Sequence, residues 1–112
     1  MRAPRLDRRL VLEAPEDTSD GAGGVTRSWQ VLGAVWAALE PRTGRAVDAA
    51  AGSVARMPYR ITLRAAPAGS PARPKPGQRL RAGARVFHVQ AVADEPGGAW
   101  LTCFAEEEEV SA

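Results

Sequence analysis

The sequence predicts an all-β protein, a small antiparallel barrel of about six strands with a long, partly helical loop between strands 2 and 3. Three observations point there. Met57, Tyr59, Ile61 and Leu63 alternate with Arg60, Thr62 and Arg64, the period of a half-buried strand. Nine prolines and eleven glycines among 112 residues favour short elements joined by turns over long helices. Strand-like runs then recur between turn signals, a spacing that suits a small barrel or sandwich.

Taken in order, Arg8–Glu13 is a short strand with Leu10 and Leu12 on one face. Ala14–Gly24 (APEDTSDGAGG) is dense in turn formers and reads as a hairpin loop. Val25–Glu40 is extended and apolar on both faces, as in a central strand, with a bend expected at Gly33. Its parity sets Trp29 opposite Trp36, unless a bulge near Gly33 resets the register. At least two of Trp29, Trp36 and Trp100 are expected in the core, with the remaining one an interface anchor.

Pro41 ends that strand. Thr43–Arg56 has no strand alternation; Gly52 and the short length allow one or two marginal helical turns. The alternating strand at 57–64 follows. Ala65–Gly77 holds four prolines and is read as an irregular surface connection. Gln78–Arg81, Arg85–Ala93 and Trp100–Ala105 complete the strands, separated by turns at Ala82-Gly83 and Asp94–Gly98.

The length fits one domain, residues 1–112. The net charge is +2, and Lys75 is the only lysine among fifteen cations. Glu106–Glu109 form an acidic run; residues 106–112 read as a solvated acidic tail, with docking onto a basic neighbour as the sharper alternative. A single cysteine excludes an internal disulfide framework. The N-terminus lacks the apolar stretch of a signal peptide, and no segment has the roughly 20 apolar residues that cross a bilayer. The protein is therefore expected in the cytosol or in a particle assembled there, without a membrane partner.

Residues that carry chemistry are sparse. One histidine and one cysteine cannot build a metal site, so no metal or cofactor is expected. His88 reads as a half-buried structural residue. Cys103 reads as a small apolar group, and a Cys103–His88 nucleophilic pair would lack an orienting group. Gly21–Gly24 has no following Lys-Ser or Lys-Thr and reads as a turn. No catalytic residue is expected. Arg60, Arg64, Arg81 and Arg85 are candidates for contact with DNA phosphates or with another subunit. The interleaved aromatics of a stacking platform are expected to be absent, with aromatics at 5% overall.

The order of these segments resembles the head-tail adaptor, or head-closure (stopper), family of tailed bacteriophages and gene transfer agents. The likeness spans residues 6–105. It rests on the opening strand Leu6–Glu13, the turn-rich Pro15–Gly24, the spacing Trp29…Trp36-Ala37-x-Leu39-x-Pro41, and the small-residue segment Thr43-Gly44-Arg45-Ala46. The strand Arg60-Ile61-Thr62-Leu63-Arg64 and the closing Gly83…Phe87…Val89 complete it. Two departures are Ala46, where an acidic residue is common, and the Pro-rich 65–77 connection. The resemblance implies a non-enzymatic ring of copies, expected as a hexamer. The ring would lie between a portal or adaptor ring above and a tail terminator ring below, seal the DNA channel and dock the tail. Double-stranded DNA would pass through it without sequence recognition. The implied channel loop is residues 43–56, with Arg42, Thr43, Gly44, Arg45, Ala46, Asp48, Ser53 and Arg56 as its candidate gate residues. The alternative reading is a free-standing nucleic-acid-binding barrel of oligonucleotide-binding or SH3-like type.

Overall fold

The computed structural model describes residues 3–42 and 56–108. The described residues form six strands and no helix: β1 (Arg8–Ser19), β2 (Val25–Pro41), β3 (Arg56–Arg64), β4 (Arg79–Ala82), β5 (Arg85–Asp94) and β6 (Trp100–Glu108). All neighbours are antiparallel, and the sheet closes as a barrel in the order β1-β2-β3-β6-β5-β4. Closure leaves no free sheet edge within the barrel wall. The helical turns expected in Thr43–Arg56 fall on residues 43–55, outside the described residues, and Arg56 is instead the first residue of β3.

The alternation of β3 sends Ile61 and Leu63 inward, both essentially inaccessible to solvent. Leu10 and Leu12 of β1, Leu80 of β4, Phe87 and Val89 of β5, and Leu101, Cys103 and Ala105 of β6 meet them there. Burying such apolar side chains contributes roughly 1.5–3 kcal/mol each. None of the three tryptophans belongs to this core. Trp36 is 57% exposed, and Trp29 and Trp100 are half-buried. A barrel of this girth is filled by Leu, Ile and one Phe, so the larger indoles sit outside.

Two bulges set the side-chain directions. Between β1 and β2, Leu12 faces Gly33 but Glu13 faces Val31, so β2 carries one extra residue at Leu32. Gly33 accommodates this with φ of 156°. The extra residue resets the parity of β2: Leu32, Val35 and Leu39 pack against the core. Trp29 and Trp36 therefore share the outer face, where uninterrupted alternation would set them opposite. The second bulge lies between Val89 and Ala91 of β5 and returns Val92 to the core side.

Two boundaries differ from expectation. Ala14–Ser19 continues β1 and pairs with Val25–Gln30, so only Asp20–Gly24 forms the turn. Asp20 Oδ1 accepts hydrogen bonds from the Ala22 and Gly24 amides at 2.8 and 2.9 Å, which closes the turn early. The result is a two-stranded arm beyond the barrel, because β4 pairs with β1 only at Val11–Glu13. The acidic residues Glu106–Glu108, expected in a tail, instead extend β6 between Arg56–Pro58 of β3 and Val86–His88 of β5.

The Pro-rich connection is irregular, as expected, but it is tied down. The Arg73 guanidinium donates to Asp94 at 3.0 and 3.3 Å and to the Ala66 carbonyl at 3.0 Å, and Pro74 is fully buried. That contact with Arg73 holds the Asp94 carboxyl below its ordinary range.

Candidate functional site

The arginines of the barrel divide into two groups. Arg27, Arg56, Arg73, Arg79, Arg81 and Arg85 each pair with a carboxylate of the same chain. Arg5, Arg8, Arg9, Arg42, Arg60 and Arg64 have no carboxylate within ion-pair distance among the described residues. Members of the second group lie on the N-terminal segment, on β1 and β3, and at Arg42 just beyond β2, and they are exposed. The candidate contact residues therefore separate. Arg60 and Arg64 are available to a partner; Arg81 and Arg85 are already engaged.

Arg81 shares the buried Glu13 with Arg79; Arg79 Nε donates to Glu13 at 2.6 Å and Arg81 Nε at 3.1 Å. Burial pushes the Glu13 carboxyl up, but the hydrogen bonds and charges of the two guanidiniums outweigh it and hold the group below its ordinary range. Arg79 also lies over the Trp29 ring, 4.1 Å from its centroid, and fixes the root of the arm. Arg85 lies across one end of the barrel. Its Nε and Nη2 donate to Glu107 at 2.7 and 3.1 Å, and Nη2 also reaches the Tyr59 hydroxyl at 3.1 Å. The same guanidinium lies 5.0 Å from the centroid of Phe87, so it caps the core at that end.

That end carries the roots of the candidate channel loop. Arg42 donates its amide to the Pro58 carbonyl at 2.9 Å. Arg56 opens β3 and approaches Glu106 at 3.8 Å. Thr43, Gly44, Arg45, Ala46, Asp48 and Ser53 lie outside the described residues.

The outer face of β3 and β6 holds what the linear order concealed. Arg60 faces Phe104 and Arg64 faces Trp100 in the register. The guanidiniums of Arg42 and Arg60 lie 5.0 and 5.9 Å from the Phe104 centroid, and that of Arg64 lies 5.7 Å from Trp100. Aromatic interleaving is therefore present, supplied across the strands. Only the pairing of β3 with β6, distant in sequence, reveals it, and no local spacing signals it.

His88 and Cys103 do not form a pair. The Cys103 side chain is in the core, opposite Ile61 and Val92. His88 is on the outer surface, with Nε2 3.2 Å from Glu108 and its ring 6.3 Å from that of Trp29. Burial pushes the Cys103 thiol up to about 12, which leaves almost no thiolate at neutral pH. In native protein at pH 8, Cys103 is expected to resist iodoacetamide for hours and to react fully in denaturant. Mass spectrometry reads both; complete labelling of the folded chain within minutes would contradict this burial. Among the described residues, no three His, Cys, Asp or Glu side chains come together to hold a metal ion.

The profile of the phage head completion protein family matches residues 1–108. Among solved structures, a chain from the virion of a native gene transfer agent particle is similar, with 44% sequence identity and a TM-score of 0.78. The alignment covers 97% of this chain and 100% of that one. No curated protein matches. A match over nearly the entire barrel, from the N-terminal segment through the last described residue of β6, means that this chain belongs to the phage head completion protein family.

Proposed function

We propose that this chain is a non-catalytic structural component of a phage-like particle and acts in head closure. Copies form a ring, expected as a hexamer, between a portal or adaptor ring and a tail terminator ring. The ring seals the channel after DNA packaging and docks the tail. The observation that carries this reading is the end-to-end likeness to a virion chain at 44% identity. The architecture suits the role. A closed barrel is a rigid body, and the candidate channel loop leaves it from two adjacent strands joined at Arg42 and Pro58.

The test is removal of the chain from cells that assemble the particle. Electron microscopy is expected to show heads without tails, and nuclease treatment is expected to degrade DNA that escapes from them. Normal, tailed, DNA-filled particles would overturn the reading. Replacing residues 43–55 by a Gly-Ser linker of equal length then separates the two roles. The barrel should melt within a few degrees of the natural chain while particles lose DNA. Retained DNA would remove the loop from the sealing mechanism and leave the structural role standing.

The guanidiniums over Phe104 and Trp100, which have no carboxylate partner among the described residues, favour one second reading, a free-standing nucleic-acid-binding barrel. It requires binding that weakens steeply with salt and is abolished by Arg60→Ala with Arg64→Ala. Absence of binding at low salt eliminates it.

A further inference from the structure

One row of side chains crosses four strands on the outer face. Arg9 of β1 faces Trp36 of β2, and Arg64 of β3 faces Trp100 of β6. Trp36 and Arg64 are the next residues along from the facing pair Ala37 and Leu63, so they continue the row. The result is a ladder of arginine, tryptophan, arginine, tryptophan. Trp36 is 57% exposed, and neither Arg9 nor Arg64 has a carboxylate partner among the described residues. Tryptophan and arginine in this arrangement are what protein interfaces use as anchors.

The arm of residues 14–30 has the opposite character. Glu16, Asp17 and Asp20 outnumber its one arginine, Arg27. Backbone amides of Ala22 and Gly24 hold the Asp20 carboxyl below its ordinary range, so it is charged near neutral pH. Val25 of the arm is 68% exposed, and Val31, just beyond its root, is 58% exposed. A two-stranded ribbon has little stability of its own, and this one leaves apolar side chains uncovered. The ladder lies at the start of β1 and the arm at its end. At ~3.3 Å per residue along β1, Glu16 lies roughly 23 Å and the tip of the arm roughly 33 Å from Arg9, so the two surfaces cannot meet within one molecule.

We infer that the Arg9–Trp36–Arg64–Trp100 ladder receives the acidic arm, residues 14–30, of a second copy of this chain. Opposite charge, uncovered apolar side chains on both surfaces and their placement at opposite ends of one hairpin support the pairing. Such a contact joins two different surfaces, so repetition generates a ring or an open helix. The inference rests on the ring reading above and specifies which surfaces make it.

Two measurements test it. The full-length variant Glu16→Cys with Arg64→Cys, incorporated into particles and oxidised, should form intermolecular disulfides that yield a series of covalent oligomers. Neither single variant should. Separately, Arg64→Glu and Glu16→Arg should each weaken assembly at least tenfold while the melting temperature stays unchanged, and the double charge swap should recover most of the loss. Native mass spectrometry and incorporation into particles read assembly. Rings that form without the disulfide, and unaffected by either charge reversal, overturn the arm-to-ladder contact and leave the ring reading intact. Failure of the natural chain to self-associate in particles overturns both. Loss of duplex-DNA binding in Arg64→Glu with assembly unchanged reassigns the ladder to nucleic acid and also overturns the inference.

Discussion

Replacing Arg79 and Arg81 together by methionine is expected to destabilise the barrel by about 3–5 kcal/mol, the usual penalty for leaving one member of a buried ionic group without its partners. The Glu13 side chain is only 6% exposed, and it bridges β1 to β4 where that contact is just three residues long. Methionine removes both the charge and the Arg79 guanidinium that lies over Trp29, so the loss includes that contact. For a domain stable by about 5–15 kcal/mol, this is a large share. Glu13→Gln should cost less, under about 2 kcal/mol, because the two guanidiniums it leaves are 20% and 34% exposed and can be hydrated.

The two proteins should also respond to acid with opposite sign. In the natural chain the folded Glu13 carboxyl lies below its ordinary value of 4.5. Its contribution is fully present above pH ~4.5 and is lost as pH falls through the folded value. Without the arginines, burial alone acts and raises the folded value. The double variant should then gain stability relative to the natural chain as pH is lowered from 7 toward 5. Urea unfolding at a series of pH values measures both slopes. A parallel acid response in the two proteins would show that Glu13 is not the carboxylate in question.

The parts of this structure that were legible in the sequence are those governed by local period. The alternation of Met57–Arg64 identified β3 and its buried face, and turn residues separated β4, β5 and β6, although β6 runs on to Glu108, past its expected end at Ala105. What was not legible depends on partners distant in sequence. Ala14–Ser19 has turn-former composition, yet it is a strand because Val25–Gln30 pairs with it. The extra residue at Leu32 has no composition signal beyond the neighbouring Gly33, and it reverses the expected relation of Trp29 to Trp36. Glu106–Glu108 resemble a solvated tail until β3 and β5 flank them and supply Arg56 and Arg85 as counter-charges and His88 as a polar neighbour. The division of arginines into engaged and available sets is likewise a property of register, so Arg81 and Arg85 could not be told from Arg60 and Arg64 in advance.

The same register makes the end of the barrel beneath the candidate channel loop sensitive to a single ring. Phe87 is fully buried, packs edge-on against Tyr59 at 5.2 Å between centroids, and supports the Arg85 guanidinium that binds Glu107. Phe87→Ala is expected to cost about 3–5 kcal/mol, because removing the ring opens a cavity that a closed wall of strands cannot collapse to fill. The melting temperature should fall by more than ~10 °C in a domain of this size. Phe87→Leu keeps most of the volume and should cost under about 2 kcal/mol. Loss of the ring also removes the support under Arg85 and Tyr59, so strands β3, β5 and β6 should fray first at Arg56–Tyr59, Arg85–Phe87 and Glu106–Glu108. Hydrogen exchange should show faster amides there in Phe87→Leu while Leu10, Leu63 and Leu101 stay protected. Uniform acceleration across all six strands would mean that this end has no local stability of its own, and that Arg85, Tyr59 and Glu107 do not act as a separate cap beneath the loop.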